Sequence, residues 1–149
     1  MAMRALILNG PNLRRLDLRE KGIYGDFDYA ALEKYVTNAG RDLEIETEIR
    51  QTDDEAEIIG WLHEAADKKL PVIINPAAFT HYSYAIRDAV VMLKAPVIEV
   101  HLSNPLSREE FRHTSVVSGV VNGTISGFGL NSYRLALIAM KNLLADLAD

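Results

Sequence analysis

"RALILNGPN", residues Arg4–Asn12, is the stretch from which the fold is read. Ala5, Leu6, Ile7 and Leu8 form an unbroken apolar run, and Asn9-Gly10-Pro11-Asn12 halts it with turn residues. A short strand that is apolar on both sides belongs in a sheet covered on both faces, which is where parallel strands are found. The pattern then repeats outward. Leu32, Tyr35, Val36, Ala39 and Leu43 fall on one face of a helix. Glu44–Arg50 alternates as a second strand, with Ile45, Thr47 and Ile49 on one side. Ile58, Ile59, Leu62, Ala65 and Ala66 form the next helical stripe, and Asp53, Asp54 and Glu55 suit its positive end. Pro71–Ile74, Val97–Val100 and Val121–Ser126 read as strands three to five. Tyr84–Leu93 and a long closing stripe through Tyr133, Leu137, Met140, Leu144 and Leu147 read as helices. Five strands alternating with helices predict a single α/β domain with a doubly wound, five-stranded parallel sheet.

The bulk composition narrows the function. The chain has 149 residues, 48% hydrophobic and 25% charged, ordinary values for a globular domain. A net charge of -5 disfavours general nucleic-acid binding. The absence of cysteine removes disulfide frameworks, thiol nucleophiles and thiolate metal sites together, and fits a reducing cytoplasm. The run Ala5–Leu8 is too short for a signal-peptide core, and no apolar stretch approaches a membrane span. The expectation is a cytoplasmic protein without membrane partners.

Ligands of doubly wound sheets bind beyond the carboxyl ends of the strands. After the first strand come Asn12 and a charged loop carrying Arg14, Arg15, Arg19, Lys21 and Tyr24. After the third come Asn75, Thr80 and His81. The fourth carries Glu99, ends at His101 and leads to Leu102, Ser103 and the run Arg108-Glu109-Glu110-Phe111-Arg112-His113. Amides, imidazoles, arginines and one phenol therefore converge on one edge. Each also has a purely structural reading. Tyr24 serves equally as a loop anchor with its ring folded onto the core. Asn12 and Asn75 serve as turn residues. His81 serves as part of a first helical turn, and Arg112 as a surface ion-pair partner. His101 is harder to dismiss. An imidazole ending an apolar strand needs a hydrogen-bond partner, and Glu99, two residues earlier, projects from the same face. A carboxylate there favours and orients the imidazolium.

Familiar sites are missing from the sequence. No histidine pair has zinc-ligand spacing, so no metal is expected, and there is no GxSxG elbow. Gly127-Phe128-Gly129 follows the last strand without the unit of a dinucleotide site and reads as helix-start geometry. What remains is a cofactor-free acid/base site with Tyr24 as base, His101 as acid, and amides and arginines to hold an anion. A nearby cation favours a phenolate, and Arg19 is the natural candidate. Removing a proton α to a ketone and expelling a β-hydroxyl needs only these parts.

These motifs are those of a known family. Asn9-Gly10-Pro11-Asn12-Leu13, Arg19-Glu20 with Tyr24-Gly25, INPAAFTHYSYAIRDA from Ile74 to Ala89, EVHLSNPLSREEFRH from Glu99 to His113, Gly127-Phe128-Gly129 and Tyr133 stand in its order and spacing. The chain resembles the type II 3-dehydroquinate dehydratases over about Leu6 to Leu137. The resemblance implies a flavodoxin-like fold assembled as a dodecamer of trimers. It implies reversible anti dehydration of 3-dehydroquinate to 3-dehydroshikimate through an enolate, with neither metal nor imine. It casts Tyr24 as the base at C2, Arg19 as its activator, Asn12 as part of the enolate-stabilising network and His101 as the acid at the departing C1 hydroxyl. Asn75, His81 and Arg112 become substrate contacts, the backbone amides of Leu102 and Ser103 a carboxylate cradle, and Asp88 a contact from a neighbouring subunit. Glu99 as orienter of His101 rests on strand geometry. Residues 13–26 would form a mobile lid, with Gly22 and Gly25 as its loose joints.

The chain departs from the family pattern NGPNLNLLGxRE at Arg14, Arg15 and Asp17, where altered lid motion is expected. The family's Gln-Ser-Asn-His-Glu is here Gln51-Thr52-Asp53-Asp54-Glu55, expected to lie away from the catalytic residues and to serve assembly or helix capping. Ser132 replaces the glycine before Tyr133. Two other readings compete: a flavodoxin-like binding or signalling module, and a family member with drifted specificity. Against the first, the turn after strand one has neither an acidic cluster nor a hydroxyl-rich phosphate loop.

Overall fold

The protein is described by a computed structural model over residues 3–148. Strands β1 (Met3–Asn9), β2 (Ile45–Gln51), β3 (Val72–Asn75), β4 (Val97–His101) and β5 (Gly123–Ser126) are all parallel, in the order β2-β1-β3-β4-β5. Between them lie α1 (Lys21–Tyr24, one turn), α2 (Tyr29–Asp42), α3 (Glu55–Lys68) and α4 (Tyr84–Val91), and α5 (Asn131–Ala148) follows the last strand. This is the flavodoxin-like arrangement. No helix among the described residues is long and apolar enough to cross a membrane.

Alternation along β1 shows why the sheet is covered twice. Ala5 and Ile7 pack with Leu32, Val36, Leu137 and Met140 of α2 and α5. Leu6 and Leu8 pack with Ile58, Leu62, Ile86 and Val90 of α3 and α4. All four strand residues are buried, so β1 reads as continuously apolar. Helices α2, α3 and α4 start where side chains accept free backbone amides: Asp28 from Ala31 (2.8 Å), Asp54 from Ala56 (2.9 Å) and Ser83 from Ile86 (3.0 Å).

Boundaries differ from the sequence reading where local geometry intervenes. Glu44 has φ of 61°, left-handed, so β2 begins one residue later than expected. Asn122 spends its side-chain carbonyl on the Val97 amide (2.8 Å), and β5 begins only at Gly123. His81 does not open the third long helix. It ends a separate 3₁₀ turn, Ala77–His81, and α4 starts afresh from its Ser83 cap.

Chain order reverses direction between β1 and β3, making this the topological switch point where such sheets bind ligands. A buried chain of hydrogen bonds ties the two strand ends together. The Ala77 amide donates to Asn75 Oδ1 (3.1 Å), Asn75 Nδ2 to the Tyr133 hydroxyl (3.0 Å), and that hydroxyl to Asn9 Oδ1 (2.5 Å). Asn9 Nδ2 in turn reaches the Tyr29 hydroxyl at 3.4 Å. Burial pushes the ionisation of both phenols upward, so both stay neutral, Tyr133 donating to Asn9 and Tyr29 accepting from it. Tyr133→Phe leaves Asn9 and Asn75 each short of a partner. We expect a loss of about 1–3 kcal/mol, read as a lower urea midpoint. An unchanged midpoint would show that these amides find other partners.

Candidate active site

One cleft at the carboxyl ends of β1, β3 and β4 gathers most of the residues singled out from the sequence. Asn12, Arg19, Tyr24, Asn75, His81, His101, Leu102, Ser103 and Arg112 all line it. Glu99 stands directly behind His101. A larger, open groove of about 640 Å³ lies at the opposite end of β1 and β2 and carries no comparable set of converging groups.

Tyr24 is both a core anchor and a cleft residue. Its residue is buried and its ring packs in the core with Leu13, Leu16 and Leu102. Its hydroxyl accepts from the Arg19 guanidinium. The brief α1 helix sets this geometry, because the Tyr24 amide closes the turn onto Glu20 (3.0 Å). Gly25 follows at φ 102°, and a Cβ there would lie 2.3 Å from the Phe27 ring, so only glycine turns the chain away.

Arg108 was given no role by the sequence reading, yet it lines the same cleft. Its guanidinium carbon lies 4.8 Å from the Tyr24 ring centroid, and that of Arg19 lies 4.0 Å away. Arg108 Nη1 donates to Ser103 Oγ (3.2 Å), while its buried Nε has no hydrogen-bond partner in the protein. A buried guanidinium N–H without an acceptor suits an anionic or oxygen-rich ligand. The available sequence clue was a second arginine four residues before Arg112, past the end of β4.

His101 and Glu99 form a close pair, Nε2 to Oε2 at 2.5 Å, with Glu99 only 1% exposed. The other Glu99 oxygen accepts from Ser118 Oγ at 2.6 Å. Ser118 lies 2.8 Å from Ser115 Oγ, which itself accepts the Val117 and Ser118 amides. Donors thus converge on a buried carboxylate, compensating its lost hydration. Nε2 being committed to Glu99, the other ring nitrogen of His101 is left for a ligand.

His81 donates Nδ1–H to the Thr114 carbonyl at 2.7 Å, which leaves Nε2 as an acceptor. Burial pushes its ionisation below the ordinary imidazole range, and the Thr114 carbonyl opposes that only in part. Asn75 spends its carbonyl on Ala77 and one amide hydrogen on Tyr133, so a single N–H remains for a ligand. Arg112 is held by Glu109 (Nε to Oε1, 3.1 Å), whose carboxyl is pulled below its usual range by that guanidinium. It is therefore both an ion-pair partner and a cleft residue.

Asp88 is not brought in with the others. It sits exposed on α4 beside Arg87 (3.2 Å) and does not line the cleft. The segment Gln51–Glu55 needs correction. Asp54 does cap α3, but Asp53 Oδ1 accepts the backbone amide of Asn12 at 2.8 Å, so the segment adjoins the site. The strand pairing explains it: Asn9 stands between Gln51 and Asn75 in register, which brings the β2 end beside the turn after β1. Ser132, the replacement before Tyr133, is fully buried and accepts the Phe128 amide at 3.0 Å. Arg15 and Asp17 offset each other in a two-pronged pair at 3.1 and 3.0 Å.

Comparison with known proteins identifies the family. Residues 3–141 match the family described as dehydroquinase class II. A 3-dehydroquinate dehydratase of Salinispora tropica is 56% identical over 135 residues, 91% of this chain and 94% of its own. One from Caldicellulosiruptor bescii is 48% identical over 142 residues, 95% and 98% of the two chains. The crystal structure of type II dehydroquinase from Propionibacterium acnes superposes with a TM-score of 0.92 at 53% identity, covering 95% of this chain and 98% of that one. With most of its length matched and its cleft built on that fold, the chain belongs to the class II dehydroquinase family.

Proposed function

We propose that this chain is a hydro-lyase that converts 3-dehydroquinate reversibly to 3-dehydroshikimate, by anti elimination through an enolate, in the shikimate pathway. The observation that carries the reading is the meeting, in one cleft at the switch point, of an Arg19-bound Tyr24 hydroxyl and a Glu99-held His101. Tyr24, as phenolate, takes the C2 proton. Electrons move onto the C3 oxygen, where Asn12 supports the enolate. Collapse of the enolate forms the C1–C2 double bond and expels the C1 hydroxyl, which leaves as water with a proton from His101. Arg19 steadies the charge on Tyr24, and Arg108 adds a second cation over the same ring. Asn75, His81 and Arg112 hold hydroxyl groups, while the amides of Leu102 and Ser103 face the carboxylate. The named residues suffice for this chemistry without a cofactor.

Residues 13–26 act as a lid carrying base and activator together. The assembly is a dodecamer of trimers in the cytoplasm, a setting the cysteine-free composition suits. Exposed Tyr84 and Val91 of α4, with Met92 just past its end, flank Asp88 and offer an apolar face to another copy. Asp88 would reach the neighbouring cleft from there.

The test is ultraviolet absorbance on mixing the protein with 3-dehydroquinate, since the product is a conjugated enone. Steady appearance of the enone is expected, and none from a folded oligomer would point to drifted specificity. Tyr24→Phe and His101→Ala should each lower kcat about 10²–10⁴-fold with the assembly intact. An unchanged kcat removes that residue from the mechanism. Arg19→Ala should lower kcat more than it raises KM, because without the neighbouring cation a smaller fraction of Tyr24 stands as the phenolate base.

His81 yields a pH prediction. Its folded-state ionisation lies below that of the unfolded chain, ordinarily about 6.5. Below that pH the unfolded chain takes up the proton first, so stability is full above it and falls as pH drops through the folded value. Between pH 7.5 and 5 the wild type should lose more thermal stability than His81→Asn. Its KM should rise over the same interval as Nε2 ceases to accept. Parallel melting curves for the two proteins would contradict this.

A further inference from the structure

Asn12 is a conformational exception. Its φ of 70° and ψ of -2° are left-handed, a region that costs a residue with a side chain about 1 kcal/mol. The turn before it is walled on one side. A Cβ on Gly10 would lie 2.6 Å from the Pro76 carbonyl oxygen, and the Gly10 amide donates to the Asn75 carbonyl at 2.8 Å. Two side chains from the end of β2 grip it from the other side. Gln51 Nε2 donates to the Gly10 carbonyl (3.1 Å) and to Asp53 Oδ1 (3.1 Å). Asp53 Oδ1 accepts the Asn12 amide (2.8 Å), and Gln51 Oε1 accepts Arg14 Nε (3.0 Å). Gly10, Asn12 and Arg14 are therefore each tied to the same pair.

We infer that Gln51 and Asp53 form a clasp that sets Asn12 for catalysis and anchors the root of the lid, with Asp53 as a positioning residue for the reaction. This rests on the dehydratase reading above. Asp53 stands where the family pattern has Asn, and Arg14 likewise, so both departures meet at Gln51. A guanidinium on its carbonyl and a carboxylate on its amide make both bonds charge-assisted. Stacking of the Arg14 guanidinium over the Tyr29 ring, 5.1 Å from its centroid, braces the clasp against α2. The segment held by the clasp leads into the 3₁₀ turn Leu13–Leu18, whose Leu13 and Leu16 are buried, and then to Arg19 and Tyr24.

The clasp is tested with Asp53→Ala, Asp53→Asn and Gln51→Met. Turnover of 3-dehydroquinate, thermal midpoint and hydrogen exchange of residues 10–18 against β4 are measured together. Asp53→Ala should lower kcat about tenfold while KM moves less than about threefold, because a misplaced Asn12 is felt mainly in the transition state. Asp53→Asn keeps an acceptor oxygen and should stay within about threefold of wild type. Exchange over residues 10–18 should quicken in Asp53→Ala and Gln51→Met, and not in β4. A purely structural residue would lower the thermal midpoint and leave kcat alone. Wild-type kcat and exchange in Asp53→Ala would overturn the clasp, and so would an Asp53→Asn as impaired as the alanine variant. Should Asp53→Ala fail to fold, Gln51→Met with wild-type kcat and exchange would overturn it equally. A wild-type protein that leaves 3-dehydroquinate unchanged would defeat the dehydratase reading alone, and the exchange comparison would then decide the clasp.

Discussion

The Tyr133 hydroxyl, fully buried between Asn9 and Asn75, is the contact on which the site depends. It joins the ends of β1 and β3, the two strands flanking the switch point. Two amide side chains in an apolar interior would be a liability without it, since each orphaned group costs a desolvation penalty. With it, every link from Ala77 to Tyr29 has a donor and an acceptor, and the strand ends have one register. The turn bearing Asn12 and the turn bearing His81 both depart from this junction. The helix that delivers Tyr133 is the last in the chain, so the junction between β1 and β3 depends on the docking of α5.

Charge is arranged in the cleft by the same rule of compensation. Glu99 can be buried because His101 and Ser118 each meet one of its oxygens. Two arginines crowd one tyrosine ring, which an aromatic face accepts through its negative quadrupole. One of them keeps a buried Nε without a protein acceptor. Such a surplus of donors is costly in a closed core and useful where an oxygen-rich molecule is to be held.

The residues that depart from the family pattern compensate one another. Arg15 and Asp17 close an ion pair in the 3₁₀ turn Leu13–Leu18, where exposure leaves it modest in strength. Arg14 and Asp53 meet the two ends of the Gln51 amide. Ser132, in place of glycine, turns its hydroxyl to the Phe128 amide and so closes the turn before α5. None of them falls at Asn12, Arg19, Tyr24, Glu99 or His101.

Much of this was legible in the sequence, because the relevant signals are local. The uninterrupted apolar run of β1, the helical stripes and the turn residues follow from period and propensity, and they predict the sheet and its binding edge. The pairing of Glu99 with His101 was equally legible, since residues two apart on a strand share a face. Arg108, the Asp53–Asn12 bond and the Tyr133 junction were not. Their partners lie 84, 41 and 124 residues away, counting Arg108 to Tyr24, Asp53 to Asn12 and Tyr133 to Asn9. No periodicity encodes such a distance. The sequence by itself determined the layers, the edge where polar side chains gather and the pairing of Glu99 with His101. That Arg108 joins Arg19 over the phenol, and which carboxylate holds the turn, was decided only when strand order brought β2 beside β1 and the β4 loop over α1.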